Sequence, residues 1–203
     1  FLSTRSPDGI SQNLAPFSYF NVINHDPPLF IVGFASSLAN PRDSLRNLLA
    51  TKECTINIIS ETFLEAANST SINAPYGVSE WDVSGLTPVY DCVDVKCARV
   101  KEAVFSVEGK LDFVRESESR REKGKMTGVM VVIEGTRFWV REDAVNEEGS
   151  IVDPSVMRTV GRLGGIMYSR VTEAIELPRP DFQKNLGGEE GLEKIKAKKG
   201  QSE

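Results

Sequence analysis

The sequence predicts a mainly β fold, an antiparallel barrel with a few helices appended to it. Three observations carry this reading. Segments with strand patterning outnumber those with helical period, and tight turns join most of them. No regular alternation of strand and helix appears that would build a parallel sheet. At 203 residues the chain is long enough for one sizeable domain with its own core. Hydrophobic residues make up 40% and charged residues 26%, the balance of a globular chain rather than a disordered one.

The first strand runs from Phe1 into Ser6-Pro7-Asp8-Gly9. Proline at the second position and glycine at the fourth suit a type I turn, so a β-hairpin follows. The returning strand covers residues 10–24 and is interrupted at Pro16, which has no N–H for the ladder and demands an edge, a bulge or a bend. His25-Asp26-Pro27-Pro28 makes a corner, and residues 29–35 (Leu-Phe-Ile-Val-Gly-Phe-Ala) form a buried strand.

The period then changes. Asn40 is placed as an N-cap, Pro41 at the first helical position and Asp43 in the first turn, with Leu45, Leu48 and Leu49 making one apolar stripe. These predict a helix over residues 41–51. A short strand at 54–59 and a short helix at 60–68 follow. Residues 69–96, rich in Ser, Pro, Gly and Asp, are too long for an ordinary connection and form either a lid or a surface excursion. Two long strands, 103–116 and 126–141, flank a charged tip that reads as a solvated hairpin end. Asp153-Pro154 starts a helical turn, and residues 171–177 form the last strand. The final 23 residues hold five acids and five lysines with little apolar content. They are expected to be a disordered tail, leaving one domain over 1–180.

Composition excludes several functions. The formal net charge of −5 argues against a general polyanion-binding surface, so no nucleic-acid partner is expected. No apolar run approaches the roughly 20 residues needed to span a bilayer. Three cysteines without a Cys-x-x-Cys pair favour a reducing compartment, so a cytoplasmic location is expected. The single histidine, His25, weakens any His-based zinc site or Ser-His-Asp triad, and no metal is expected. Phe1 falls inside a strand pattern, which predicts further residues upstream, any targeting signal among them.

Neither a G-x-G-x-x-G after a strand nor a G-x-x-x-x-G-K-[ST] motif occurs. The most informative stretch is the strand-to-helix junction from Phe34 to Ser44. It combines a helix N-terminus with the hydroxyls of Ser36, Ser37 and Ser44 and the guanidinium of Arg42. That is either a well-capped surface helix or an anion site with a fork-shaped phosphate grip. In Asn13-Leu-Ala-Pro-Phe-Ser-Tyr-Phe-Asn21, Pro16 frees backbone groups beside three aromatics, which suits a planar ligand or simply a bulged edge strand. His25 beside Asp26-Pro27 reads as a corner residue rather than a base. Gly161-Arg162-Leu163-Gly164-Gly165 with Tyr168 permits close backbone approach, at either a loop crossing or a site.

Together these pieces resemble the flavin reductase-like family of FMN-binding split barrels. The resemblance runs from Ser3-Thr-Arg-Ser-Pro-Asp-Gly9 through Asn13-Leu-Ala-Pro-Phe-Ser18 to Asp26-Pro-Pro28. Arg42-Asp43-Ser44-Leu-Arg-Asn47 is similar to the Lys/Arg-Asp-Thr-x-x-Asn helix start of the flavoredoxin-like branch, with Ser44 keeping the hydroxyl of the commoner threonine. Gly161-Arg-Leu-Gly-Gly165 with Tyr168 also resembles that branch. The resemblance implies a homodimeric six-stranded antiparallel split barrel that holds FMN near the subunit interface. By position, Ala15, Pro16, Phe17 and Ser18 would line the isoalloxazine edge, largely through backbone groups. Ser36, Arg42, Asp43 and Ser44 would surround the phosphate, and Arg162 would reach the flavin or the partner's site. The implied activity is an NAD(P)H-dependent flavin reductase passing hydride to flavin N5, which needs no catalytic side chain. A rival reading is an FMN-binding or electron-carrying protein without NAD(P)H turnover, and a third is a barrel that binds no flavin.

Overall fold

The fold is seen in a computed structural model that describes residues 1–199. Its strands are β1 (Leu2–Arg5), β2 (Gln12–Ala15), β3 (Phe20–His25) and β4 (Pro28–Phe34). Helix α1 (Asp43–Thr51), β5 (Glu53–Asn57), α2 (Leu64–Ser69), α3 (Glu80–Ser84), β6 (Pro88–Val89) and β7 (Arg99–Val100) follow. The long strands β8 (Phe105–Glu118) and β9 (Met126–Val140), α4 (Pro154–Met157), β10 (Thr159–Gly164), β11 (Met167–Val171), α5 (Phe182–Leu186) and α6 (Gly188–Lys199) complete the order. Residues 1–173 form one compact unit, and those after it a second.

The main sheet has seven strands in the order β2-β1-β5-β8-β9-β4-β3, every neighbour antiparallel. The expected six became seven at Pro16. The returning strand ends at Ala15, and the chain re-enters the sheet at Phe20 on the opposite edge. Five Cα steps reach about 18 Å at full extension. A flat sheet of seven strands would hold its edges about 29 Å apart. The sheet therefore has to curl until its two edges approach, which is the split barrel the sequence resembles.

One apolar cluster fills the curl. It joins Leu2 of β1, Phe30, Val32 and Phe34 of β4, Ile56 of β5 and Val107 of β8. Leu45 and Leu48 of α1, Cys54 of β5 and Val129, Val131 and Ile133 of β9 complete it. Leu45 and Leu48 are fully buried, each worth about 1.5–3 kcal/mol relative to exposure. A second cluster packs Phe1, Leu14, Phe63, Trp81, Leu86 and Val100.

Several expectations shift in detail. Helix α1 starts at Asp43 with Arg42 at the cap position, not at Pro41 behind an Asn40 cap. The Asn40 N–H instead donates to Ser37 Oγ at 3.1 Å, a local side-chain turn that competes with helix initiation. The hairpin turn holds, with the Gly9 N–H donating to Ser6 O at 2.9 Å and Gly9 at φ 77°. Residues 69–96 are not loop throughout, since α3 and β6 lie inside them and Glu80 and Trp81 are buried.

The glycine-rich segment is a hairpin. Gly164 and Gly165 turn β10 into β11 at positive φ. The strand expected at 171–177 lies instead at β11 (Met167–Val171), and Ile175 and Leu177 stand exposed.

The second unit, predicted to be a disordered tail from residue 181, carries α5 and α6. Asp181 caps α5 by accepting from the Lys184 N–H at 2.6 Å, and Lys194–Glu190 and Lys196–Glu193 pairs line α6. Among the described residues no helix is long and apolar enough to cross a membrane.

Candidate functional site

A cavity of about 750 Å³ opens where the curled sheet fails to close. The crossing segment between β2 and β3 forms one wall. The junction between β4 and α1 forms the second, and residues 70–76 with Glu80 form the third. Ala15, Pro16, Phe17, Ser18, Ser36, Arg42, Asp43 and Ser44 all line it. The structure thus brings together eight of the nine residues singled out from sequence.

The crossing segment is held against β4 by close packing. Gly33 donates its N–H to Tyr19 O at 2.8 Å, and a Cβ at Gly33 would sit 2.8 Å from Tyr19 Cβ. Phe17 packs on Phe34 with ring centroids 4.6 Å apart. Glycine at position 33 is what lets the segment lie this low.

The junction presents donors. No side chain caps α1, so the N–H groups of its first turn and the positive end of its dipole are available at the cavity. The Ser36 hydroxyl is buried without a partner, which is costly unless a ligand or water satisfies it. Ser44 Oγ accepts from Asn13 Nδ2 at 2.7 Å, a buried bond that leaves its own proton free to donate. Arg42 Nη1 donates to Asn73 Oδ1 at 3.2 Å. Asp43 turns its carboxylate to Arg46 at 3.4 Å, and the Arg46 guanidinium lies 4.5 Å from the Tyr76 ring centroid.

Sequence reasoning missed Asn13's bond to Ser44 and the contributions of Asn73, Tyr76 and Glu80. Burial pushes the Glu80 carboxyl above its ordinary range, and the charge of Asp43 adds to this. Its bond from the Leu14 N–H at 3.2 Å offsets part of that effect. Nothing in the sequence around Glu80 marks it, because its burial depends on where α3 docks.

Arg162 stands apart. It lines a second cavity of about 280 Å³ that shares Pro16, Phe17, Ser18 and Ser71 with the first. Elsewhere, burial pushes the thiols of Cys92 and Cys97 up to about 12 and that of Cys54 well above the usual range. None of them is a ready nucleophile at neutral pH. Among the described residues no group of three His, Cys, Asp or Glu side chains could hold a metal ion.

A family model described as "Flavin reductase like domain" matches residues 2–161. An uncharacterized protein of Aquifex aeolicus is 36% identical over 171 residues, covering 83% of this chain and 81% of its own length. The crystal structure of nitrilotriacetate monooxygenase component B from Bacillus cereus superposes with a TM-score of 0.79 at 26% identity, over 87% of this chain and 85% of that one. The flavoredoxin of Desulfovibrio vulgaris (Miyazaki F) superposes with a TM-score of 0.69 over 87% of each chain, and at 20% identity it speaks for the fold alone.

Proposed function

This chain belongs to the flavin reductase-like family, and from that premise we propose that it is an FMN-binding oxidoreductase that takes reducing equivalents from NAD(P)H. The observation that carries the reading is the meeting, in one cavity, of a proline-broken sheet edge with an uncapped helix start and the orphaned Ser36 hydroxyl. The cavity volume falls in the range of small-molecule sites, about 300–1,000 Å³.

Bound FMN would supply a two-electron acceptor for a nicotinamide hydride, chemistry that asks for no acid or base from the protein. The chain's own residues then have positioning and electrostatic work. Ser36 and Ser44 donate hydroxyl protons toward the phosphate end. Arg42 supplies a charge-assisted fork, exchanging its bond to Asn73 for one to the anion. Asp43 contributes its backbone N–H while its carboxylate is held aside by Arg46. Ala15, Pro16, Phe17 and Ser18 present backbone groups and one ring face at the other end, where the interrupted ladder leaves polar groups unspent.

Tyr19 just before the edge strand β3, and Val22 and Ile23 on it, are exposed, which supports a homodimer built on this edge. The free, scattered cysteines Cys54, Cys92 and Cys97 suit a reducing compartment such as the cytoplasm.

The test is a titration of the protein with FMN, followed by anaerobic addition of NADH or NADPH while the visible flavin absorbance is recorded. Saturable binding followed by bleaching is expected. Arg42→Ala is expected to weaken FMN binding about 10- to 100-fold, the equivalent of about 1.5–3 kcal/mol for a charge-assisted contact. Unchanged affinity in that variant would refute the phosphate assignment. Tight binding without bleaching would leave an electron carrier in place of a reductase.

A further inference from the structure

The smaller cavity has a chemistry of its own. Phe17, Phe20, Ile59, Leu64 and Ala67 give its lining an apolar part, and no acidic residue lines it. Arg162 stands at its rim on the β10–β11 hairpin. Nη1 donates to the Tyr168 hydroxyl at 3.0 Å, Nη2 donates to Gly165 O, and the guanidinium lies 5.0 Å from the Tyr168 ring centroid. Tyr168 donates in turn to Asn68 Oδ1 at 3.1 Å, which ties the hairpin to α2.

The neighbouring arginines behave differently. Arg158 and Arg170 both pair with Glu61 and fasten the hairpin to the body of the unit. Among the described residues Arg162 pairs with no carboxylate. A guanidinium has five N–H donors, and the two bonds to Tyr168 and Gly165 leave most of them unspent. The stacking on Tyr168 fixes its orientation without neutralising it.

We propose that this cavity binds a flat apolar molecule bearing a carboxylate, its ring against the apolar lining of Phe17 and Phe20 and its carboxylate on Arg162. A volume of about 280 Å³ suits one or two fused rings. Pro16, Phe17 and Ser18 line both cavities, so such a molecule lies beside whatever fills the larger one. The proposal stands on the smaller cavity alone and does not depend on flavin being bound.

Calorimetric titration with 2-naphthoate and with its neutral analogue 2-naphthalenemethanol tests it. In the wild type the carboxylate is expected to bind at least about 10-fold more tightly than the alcohol. Arg162 is exposed, so its variants retain the fold. Arg162→Gln removes the preference, Arg162→Lys keeps part of it as a point charge, and Arg42→Ala leaves it intact. Binding persists in protein saturated with FMN. The proposal is overturned by the absence of naphthoate binding, by equal affinity for the two probes, by an undiminished preference in Arg162→Gln, or by displacement with FMN. Loss of FMN binding with this pattern preserved would sink the flavin reading and not this one.

Discussion

Glu108 sits on β8 with no exposed surface, and its carboxylate is the most heavily engaged acceptor described in the chain. It accepts the Val93 N–H at 3.0 Å, the Asp94 N–H at 2.6 Å and the Val95 N–H at 3.1 Å. The indole N–H of Trp139 donates to it at 2.8 Å. Arg137 lies 3.8 Å away, partly exposed. The carboxylate therefore pins the far end of the excursion that begins at the large cavity.

Glu108→Gln changes little in volume but replaces one oxygen by a donor. The least damaging orientation turns the new NH₂ toward Trp139. That strands one buried N–H, at about 1–3 kcal/mol, and converts the remaining bonds from charged to neutral, at about 1 kcal/mol each. Burying an amide in place of an ion recovers part of this. The net expected loss is about 3 kcal/mol, which for a chain of this size lowers Tm by about 6–12 °C. Thermal melts followed by tryptophan fluorescence measure it, since Trp139 is also stacked under Arg99 at 4.3 Å. A change in Tm below about 2 °C would mean that these bonds contribute almost nothing net, and the reasoning fails.

Two further expectations concern the large cavity. Gly33→Ala places a methyl against Tyr19 Cβ, and overpacking of this kind costs about 1–3 kcal/mol. Stability and FMN affinity should fall together, and an unaffected FMN titration would show that the crossing segment does not set the site. Burial raises the Glu80 carboxyl above its unfolded value, so the native state holds that proton more readily than the unfolded chain does. Its contribution to stability is full below the ordinary carboxylate range and is lost as pH rises through the raised value. Wild type should therefore lose stability relative to Glu80→Gln in urea melts as pH rises from the ordinary carboxylate range through the raised value, and a difference independent of pH would refute the assignment.

Local chemistry made much of this legible. The Ser6–Gly9 turn, the helical stripe of Leu45, Leu48 and Leu49, and the long pair β8–β9 are each specified by neighbours in sequence. The residues of the large cavity were legible for the same reason, because a helix start and a broken edge are local features. The misreadings came where an outcome depends on a distant partner. Val171, Ile175 and Leu177 alternate like a strand, yet β11 ends at Val171. Arg162, expected to reach the flavin or the partner's site, lies on a hairpin held beside the smaller cavity by Glu61, a partner distant in sequence. The lysines and acids of α6 are too polar to signal a core, but their pairs three and four residues apart suit a solvated helix.

Pro16 shows how one local constraint reaches the whole site. It cannot donate to a ladder, so β2 ends where a longer strand would have continued, and the next segment pairs with β4 instead. Because only four residues separate the two strands, the sheet must curl to bring its edges together, yet the seam between them has no hydrogen-bond ladder. A seam that is close but unzipped is a cavity. The chain leaving β4 is held there by Phe34 under Phe17, so α1 has to begin at the same seam. The donors of a helix start and the free backbone of a broken edge thus face one space as a consequence of barrel closure, before any side chain specifies a ligand.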